Sequence, residues 1–153
     1  MITKYFKVVF LLVTQILAAQ VSPLAINDFD TAEINTTLNV IAPGVLVNDT
    51  DPDVADVLTV LEFSVNGISY SAGETVSFGQ GSITIFADGS FTFIPISNYI
   101  GNVSIITYTI SDGTFTSFAN LYLTVEPIDN LLKISSLTSC NQGFTVDGEY
   151  KIR

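Results

Sequence analysis

The chain has 153 residues, 48% of them hydrophobic and 11 of them Phe, which is enough for about one domain with a buried core. Charge is sparse and one-sided: 13% of residues are charged, 15 acids stand against 5 bases for a net of −10, and residues 8–132 hold thirteen acids and no base. Such a surface repels phosphate backbones and anionic lipid heads, which excludes nucleic-acid binding and peripheral membrane attachment; with no His, no Trp and the single Cys140, composition also lacks histidine acid–base chemistry, histidine metal sites and disulfide frameworks and argues against an enzyme.

Lys4 and Lys7 open the chain, Val8 to Leu17 is an apolar run broken only by Thr14 and Gln15, and Ala18-Ala19 supplies small residues before Gln20. That layout predicts a secretory signal peptide over 1–19. The run falls short of the roughly twenty residues that span a bilayer. The expected mature product is therefore secreted or held at the cell surface, with no membrane insertion after the signal is removed.

From residue 20 to 127 short alternating segments and tight turns replace any helical stripe. The first strand is expected near 36–40. Beyond it, Asn48-Asp49-Thr50-Asp51-Pro52-Asp53 and Asp56 place four carboxylates within eight residues, with no basic partner in the domain. Two carboxylates about 4 Å apart repel by roughly 4 kcal/mol at an effective dielectric near 20, so an ordered loop of this kind wants a cation. Alternate Asp residues suit Ca²⁺, a hard ion that takes six to eight oxygens. Zinc and copper find no His or nearby Cys, and Mg²⁺ holds its water more tightly. An EF-hand starting at Asp49 fails, because its sixth residue is Val54 rather than Gly and its twelfth is Val60 rather than Glu. The competing reading is a solvated acidic turn, since Asn, Asp and Pro are ordinary turn formers.

Further strands are expected near 58–65, 68–71 and 74–78, then over Ile83 to Phe86. Asp88-Gly89 follows, the pair preferred by a type I′ hairpin turn, and Ser90 to Ile94 sets Phe91 and Phe93 on one face. Ile106, Tyr108 and Ile110 alternate with Thr107 and Thr109 within a strand at 105–111. Asp112-Gly113 joins it to 117–125, where Ala119, Leu121, Leu123 and Val125 alternate with Asn120, Tyr122 and Thr124. About seven short strands in one domain predict an all-β fold, an antiparallel Greek-key β-sandwich of immunoglobulin-like type. Residues 128–153 change texture: bases return, and the segment is too short to bury a core of its own. It reads as a linker followed by a tail, a sorting segment or a truncated start of a second domain, with Cys140 an incidental free thiol.

Six segments in this order resemble the bacterial cadherin-like repeats found in tandem in large surface and secreted adhesins. They are Ala25-Ile26-Asn27-Asp28; Gly44 to Asp53 with Leu58-Thr59-Val60; Gly89 to Pro95, with Phe93 where Tyr is common; Asn98 to Gly101; Tyr108 to Gly113; and Val125 to Asn130. The resemblance implies a cadherin-like sandwich whose loops at one end bind structural Ca²⁺. By position it implies Asp49 and Asp51 as the main ligands, Asp112 and Asp28 from neighbouring segments, Asp53 as a lesser ligand, and Asp129 in a site shared with a following repeat. Leu131 replaces the usual Pro after the linker. The implied role is a non-catalytic spacer or adhesive unit whose partners are neighbouring repeats or cell-surface ligands, protein or glycan. The alternative is a carbohydrate-binding module, for which only Tyr70, Tyr99 and Tyr122 offer a tyrosine platform. A glycosidase dyad from Asp49 and Asp51 is disfavoured, because neighbours on one turn do not straddle a sugar.

Overall fold

The longest alternating run in the sequence becomes the longest strand. In the computed structural model, which describes residues 20–53 and 56–128, the chain forms ten strands: β1 (Asp28–Glu33), β2 (Leu38–Val40), β3 (Thr59–Val65), β4 (Ile68–Ser71), β5 (Thr75–Phe78), β6 (Gly81–Ile85), β7 (Phe91–Pro95), β8 (Gly101–Asn102), β9 (Ile106–Ser111) and β10 (Thr116–Glu126). The expected signal peptide 1–19, Asp129 and the tail with Cys140 lie outside the described residues. No described helix is long and apolar enough to cross a membrane.

Two sheets face each other. One runs β1-β10-β9-β3-β4, with β8 also paired to β10; the other runs β2-β7-β6-β5. The non-consecutive neighbours β2/β7 and β3/β9 are the crossed connections of a Greek-key sandwich. Period-two alternation delivers one side chain in two to the space between the sheets. Phe63 and Val65 come from β3, Ile83 and Ile85 from β6, Phe91 and Phe93 from β7, Ile106, Tyr108 and Ile110 from β9, and Leu121, Leu123 and Val125 from β10, all buried. Their neighbours Thr107, Thr109, Asn120, Tyr122 and Thr124 face outward and are only partly covered.

Two strands were not among those expected, and one of them pairs parallel. β1 runs alongside β10 over six register pairs, from Asp28↔Leu121 to Glu33↔Glu126. Its sequence, Asp-Phe-Asp-Thr-Ala-Glu, is depleted in strand formers and points its Phe outward, so the parallel ladder to β10 rather than propensity holds it. β8 is two residues long and pairs with Thr124 and Val125.

The hairpin between β6 and β7 corrects a second expectation. Type I′ needs positive φ at both central residues, but Gly89 is left-handed (φ 81°) and Asp88 is not. The loop instead has three residues: Phe86 N–H donates to Ser90 O at 2.9 Å and Gly89 N–H donates back to Phe86 O at 2.9 Å. The Asp88 carboxylate accepts from Ser90 N–H at 3.1 Å and Ser90 O–H at 2.6 Å, which fastens the longer turn. Gly89 then meets Gly44, the start of a 3₁₀ turn over Gly44–Leu46. Val45 N–H donates to Gly89 O at 2.9 Å. A Cβ on Gly44 would lie 2.0 Å from Gly89 O, and one on Gly89 would lie 2.0 Å from Pro43 O. This contact anchors the start of the segment that leads into the acidic loop.

Candidate metal centre

Asp28, Asp49, Asp51, Asp53, Asp56 and Asp112 lie where the chain enters β1, crosses from β2 to β3 and turns from β9 to β10. The entering segment is stitched to the acidic loop. Leu24 and Thr50 exchange backbone hydrogen bonds at 2.8 and 3.1 Å, Ile26 N–H donates to Asp49 Oδ1 at 2.7 Å, and Asn48 Nδ2 donates to Asn27 O at 3.2 Å. Segments far apart in sequence are thereby brought side by side.

Two constellations result. In the first, the buried Tyr108 hydroxyl lies 2.7 Å from Asp28 Oδ2, 2.9 Å from Ile26 O and 3.4 Å from Asp49 Oδ2. Burial pushes Asp28 up to about 6, partly offset by the Tyr108 hydrogen bond and reinforced by the charge of Asp49. Burial likewise raises Asp49, against the stabilising Ile26 N–H. Desolvation, then the adjoining Asp28, raises the Tyr108 hydroxyl, which stays a donor at any ordinary pH. Tyr108 therefore ties β9 to both acidic segments.

The second constellation brings together Asp51, Asp53 and Asp56, each offering a carboxylate oxygen within 4.8 Å of the others. Desolvation pushes Asp56 up, followed by the charges of Asp51, Asp53 and Asp112. Asp56 belongs to the acidic loop but not to the ligands the resemblance implies; its place beside the other two depends on how the loop folds back. Some carboxylate oxygens are taken by the protein. Asp51 Oδ1 accepts from Asp53 N–H at 2.7 Å, Asp53 Oδ2 accepts from Val21 N–H at 2.7 Å, and Asp56 accepts from the Gln20 amide. Asp112, 9% exposed, uses Oδ1 to close its turn, accepting from Thr114 N–H and Phe115 N–H at 2.6 Å each.

What is left over defines the chemistry. Asn48 Oδ1, Asp51 Oδ2 and Asp112 Oδ2 are buried and have no hydrogen-bond partner among the described residues. Buried polar atoms in native proteins are nearly always satisfied, and a buried carboxylate oxygen without a donor costs about 1–3 kcal/mol or more. No Lys or Arg lies between residues 8 and 132 to satisfy them. The donor set of the second group is all carboxylate oxygen, from two loops, which matches a hard divalent cation and in particular Ca²⁺.

Of the expected ligands, Asp51 and Asp53 fall in the second group, with Asp112 close enough for its charge to act on Asp56, whereas Asp28 and Asp49 surround Tyr108. Among the expected platform tyrosines, Tyr70 is half-buried against Phe63, with ring centroids 5.9 Å apart, and Tyr99 packs on the core with its hydroxyl donating to Asn102 O. Tyr122 faces outward and stacks on Phe29.

Residues 21–127 match the family described as bacterial cadherin-like domain. No curated protein matches the chain. Among solved structures, a nucleoside hydrolase-related hypothetical protein from Saccharophagus degradans, described as associated with carbohydrate metabolism, aligns at 19% identity and TM-score 0.47 over 71% of this chain and 26% of its own. An endo-fucoidan hydrolase from glycoside hydrolase family 107 aligns at 19% identity and TM-score 0.42 over 72% of this chain and 15% of its own. A chicken TCR aligns at 14% identity and TM-score 0.32 over 66% and 54%. The chain thus spans about a quarter or less of the first two.

Proposed function

The chain belongs to the bacterial cadherin-like domain family, and from that premise we propose that it is a non-catalytic, calcium-stabilised module of an exported surface or secreted adhesion protein. It serves as a spacer or adhesive unit beside neighbouring repeats or against cell-surface ligands. The observation that carries the calcium reading is the buried, unpartnered Oδ2 of Asp112, held beside the Asp51–Asp53–Asp56 cluster, which has an unpartnered oxygen of its own in Asp51. An acidic loop that was merely solvated would leave no such oxygens under cover.

Asp51, Asp53, Asp56 and Asp112 hold the ion. Asp28 and Asp49, held by Tyr108, fix the entering segment against the loop and are available to a second ion. Bound there, Ca²⁺ would supply the positive charge the domain lacks and link the β2–β3 crossing to the β9–β10 turn. Asp129 is assigned to the junction with a following repeat. An extracellular module of this type takes Ca²⁺ with a Kd around 10⁻⁴–10⁻³ M. Isothermal titration of Ca²⁺ into chelator-stripped protein is the test. Saturable heat in that range, with Mg²⁺ much weaker, is the expected result; no heat from Ca²⁺ refutes the reading.

A further inference from the structure

The outer face of the larger sheet carries a second constellation that the calcium reading does not use. Phe29 on β1 and Tyr122 on β10 are register partners, and their rings stack with centroids 5.0 Å apart and planes 12° from parallel. Phe29 is nevertheless 76% exposed. Ile105, also exposed, lies with them around an open depression of about 420 Å³ that Asn102 and Thr124 border. That volume falls within the usual range for small-ligand sites.

The rows on either side repeat one motif. Thr107 and Asn120 are register partners, and the Thr107 hydroxyl donates to Asn120 Oδ1 at 2.8 Å. Asn102 and Thr124 are partners too, with the Thr124 hydroxyl donating to Asn102 Oδ1 at 3.3 Å. Each pair leaves amide N–H donors and threonine lone pairs facing out. One such donor, Asn120 Nδ2, reaches the Tyr122 hydroxyl at 3.4 Å, which orients it and leaves its own proton free. Ser64 and Ser69 extend the first row and Thr31 extends the second.

No charged side chain stands in these three rows, in a domain whose acids otherwise go unopposed. We propose that this face binds a neutral glycan, with sugar C–H faces laid against the Phe29–Tyr122 stack and hydroxyls bonded to the flanking Thr–Asn pairs. Apolar ring faces alternating with unspent neutral donors and acceptors are the complement of a sugar, which presents C–H patches and hydroxyls but no charge. The net negative field turns away uronic-acid and sulfated chains. The site shares no residue with the proposed cation ligands.

The test titrates cellohexaose, laminarihexaose and mannohexaose into the protein, with an alginate hexamer as the anionic comparison and a run in chelator to separate glycan from cation effects. At least one neutral oligosaccharide binds, with or without Ca²⁺, provided circular dichroism shows the domain folded. Phe29→Ala and Tyr122→Ala each weaken that binding about tenfold or more, the equivalent of roughly 1.4 kcal/mol, and Ile94→Ala on the other sheet leaves it unchanged. Phe29 is exposed, so its variant stays folded and keeps the test decisive if Tyr122→Ala does not. Binding of none of the three neutral chains, stronger binding of alginate, or self-association in sedimentation that Phe29→Ala abolishes would each overturn the proposal.

Discussion

Replacing Asp51 by Asn should raise the stability of the calcium-free domain and at the same time shrink the gain that calcium gives it. Asn keeps the Oδ1 acceptor that Asp53 N–H uses at 2.7 Å and removes one negative charge from a group whose oxygens lie within 4.8 Å of one another. Two unit charges at that separation repel by about 3.5 kcal/mol at an effective dielectric of 20 and by about 0.9 kcal/mol in bulk water. Partial exposure and salt place the relief at the lower end, about 1–2 kcal/mol. For a domain of this size that is a rise in Tm of roughly 4–8 °C in chelator. At calcium one hundred times its Kd, the wild-type protein gains about 2.7 kcal/mol, close to 10 °C, while the variant, short of a ligand, gains less than half of that. Calorimetric melts of both proteins with chelator and with Ca²⁺ read all four values. Equal calcium shifts in the two proteins, or a variant that melts lower than wild type in chelator, would show that Asp51 neither crowds its neighbours nor binds the ion.

The pH dependence of the calcium-free protein should be inverted at the acid side. Asp28, raised from 3.8 to about 6, binds its proton more tightly folded than unfolded, and Asp49 and Asp56 shift the same way. The Asp28 contribution is complete below about pH 4 and lost as pH rises through about 6, so Tm in chelator should climb between pH 7 and pH 5; Asp88, lowered by its Ser90 hydrogen bonds, pulls the other way only at more acid pH, and a fall in Tm from pH 7 to pH 5 contradicts the prediction. Phe93→Ala empties a site with 0% exposure and should cost about 3–5 kcal/mol in urea denaturation. Gly44→Ala forces a Cβ to 2.0 Å from a backbone oxygen at φ 53° and should cost about 3 kcal/mol or more by the same measurement, whereas Gly73→Ala, with open space around it, should cost less.

Legibility in the sequence followed the strength of local signals. β9 and β10 announced themselves because Ile106, Tyr108, Ile110, Leu121, Leu123 and Val125 alternate with polar partners, and all of them are buried. β1 did not: Asp28, Asp30 and Ala32 supply no apolar face, and its pairing to β10 bridges about ninety positions of chain. The acidic loop stood out by charge alone, yet charge could not sort its members. Asp28 and Asp49 face Tyr108, whose alternation marked it only as core, and the link is tertiary. The Asp88-Gly89 pair signalled a hairpin correctly, but its three-residue loop depends on the Ser90 hydrogen bonds and on the approach of Gly44, neither visible in a dipeptide. Phe29 was similarly opaque, since only the β1–β10 register sets it on Tyr122.

One ion joining two loops more than fifty residues apart in sequence leaves a signature that a calcium titration followed by amide NMR reads out. The signals of Asp51 and Asp53 and those of Gly113, Thr114 and Phe115 should move together and saturate with a single Kd, because both loops contribute oxygens to the same cation. Signals that stay still in both loops, or that move around Asp51 while the turn closed by Asp112 is unaffected, would contradict it.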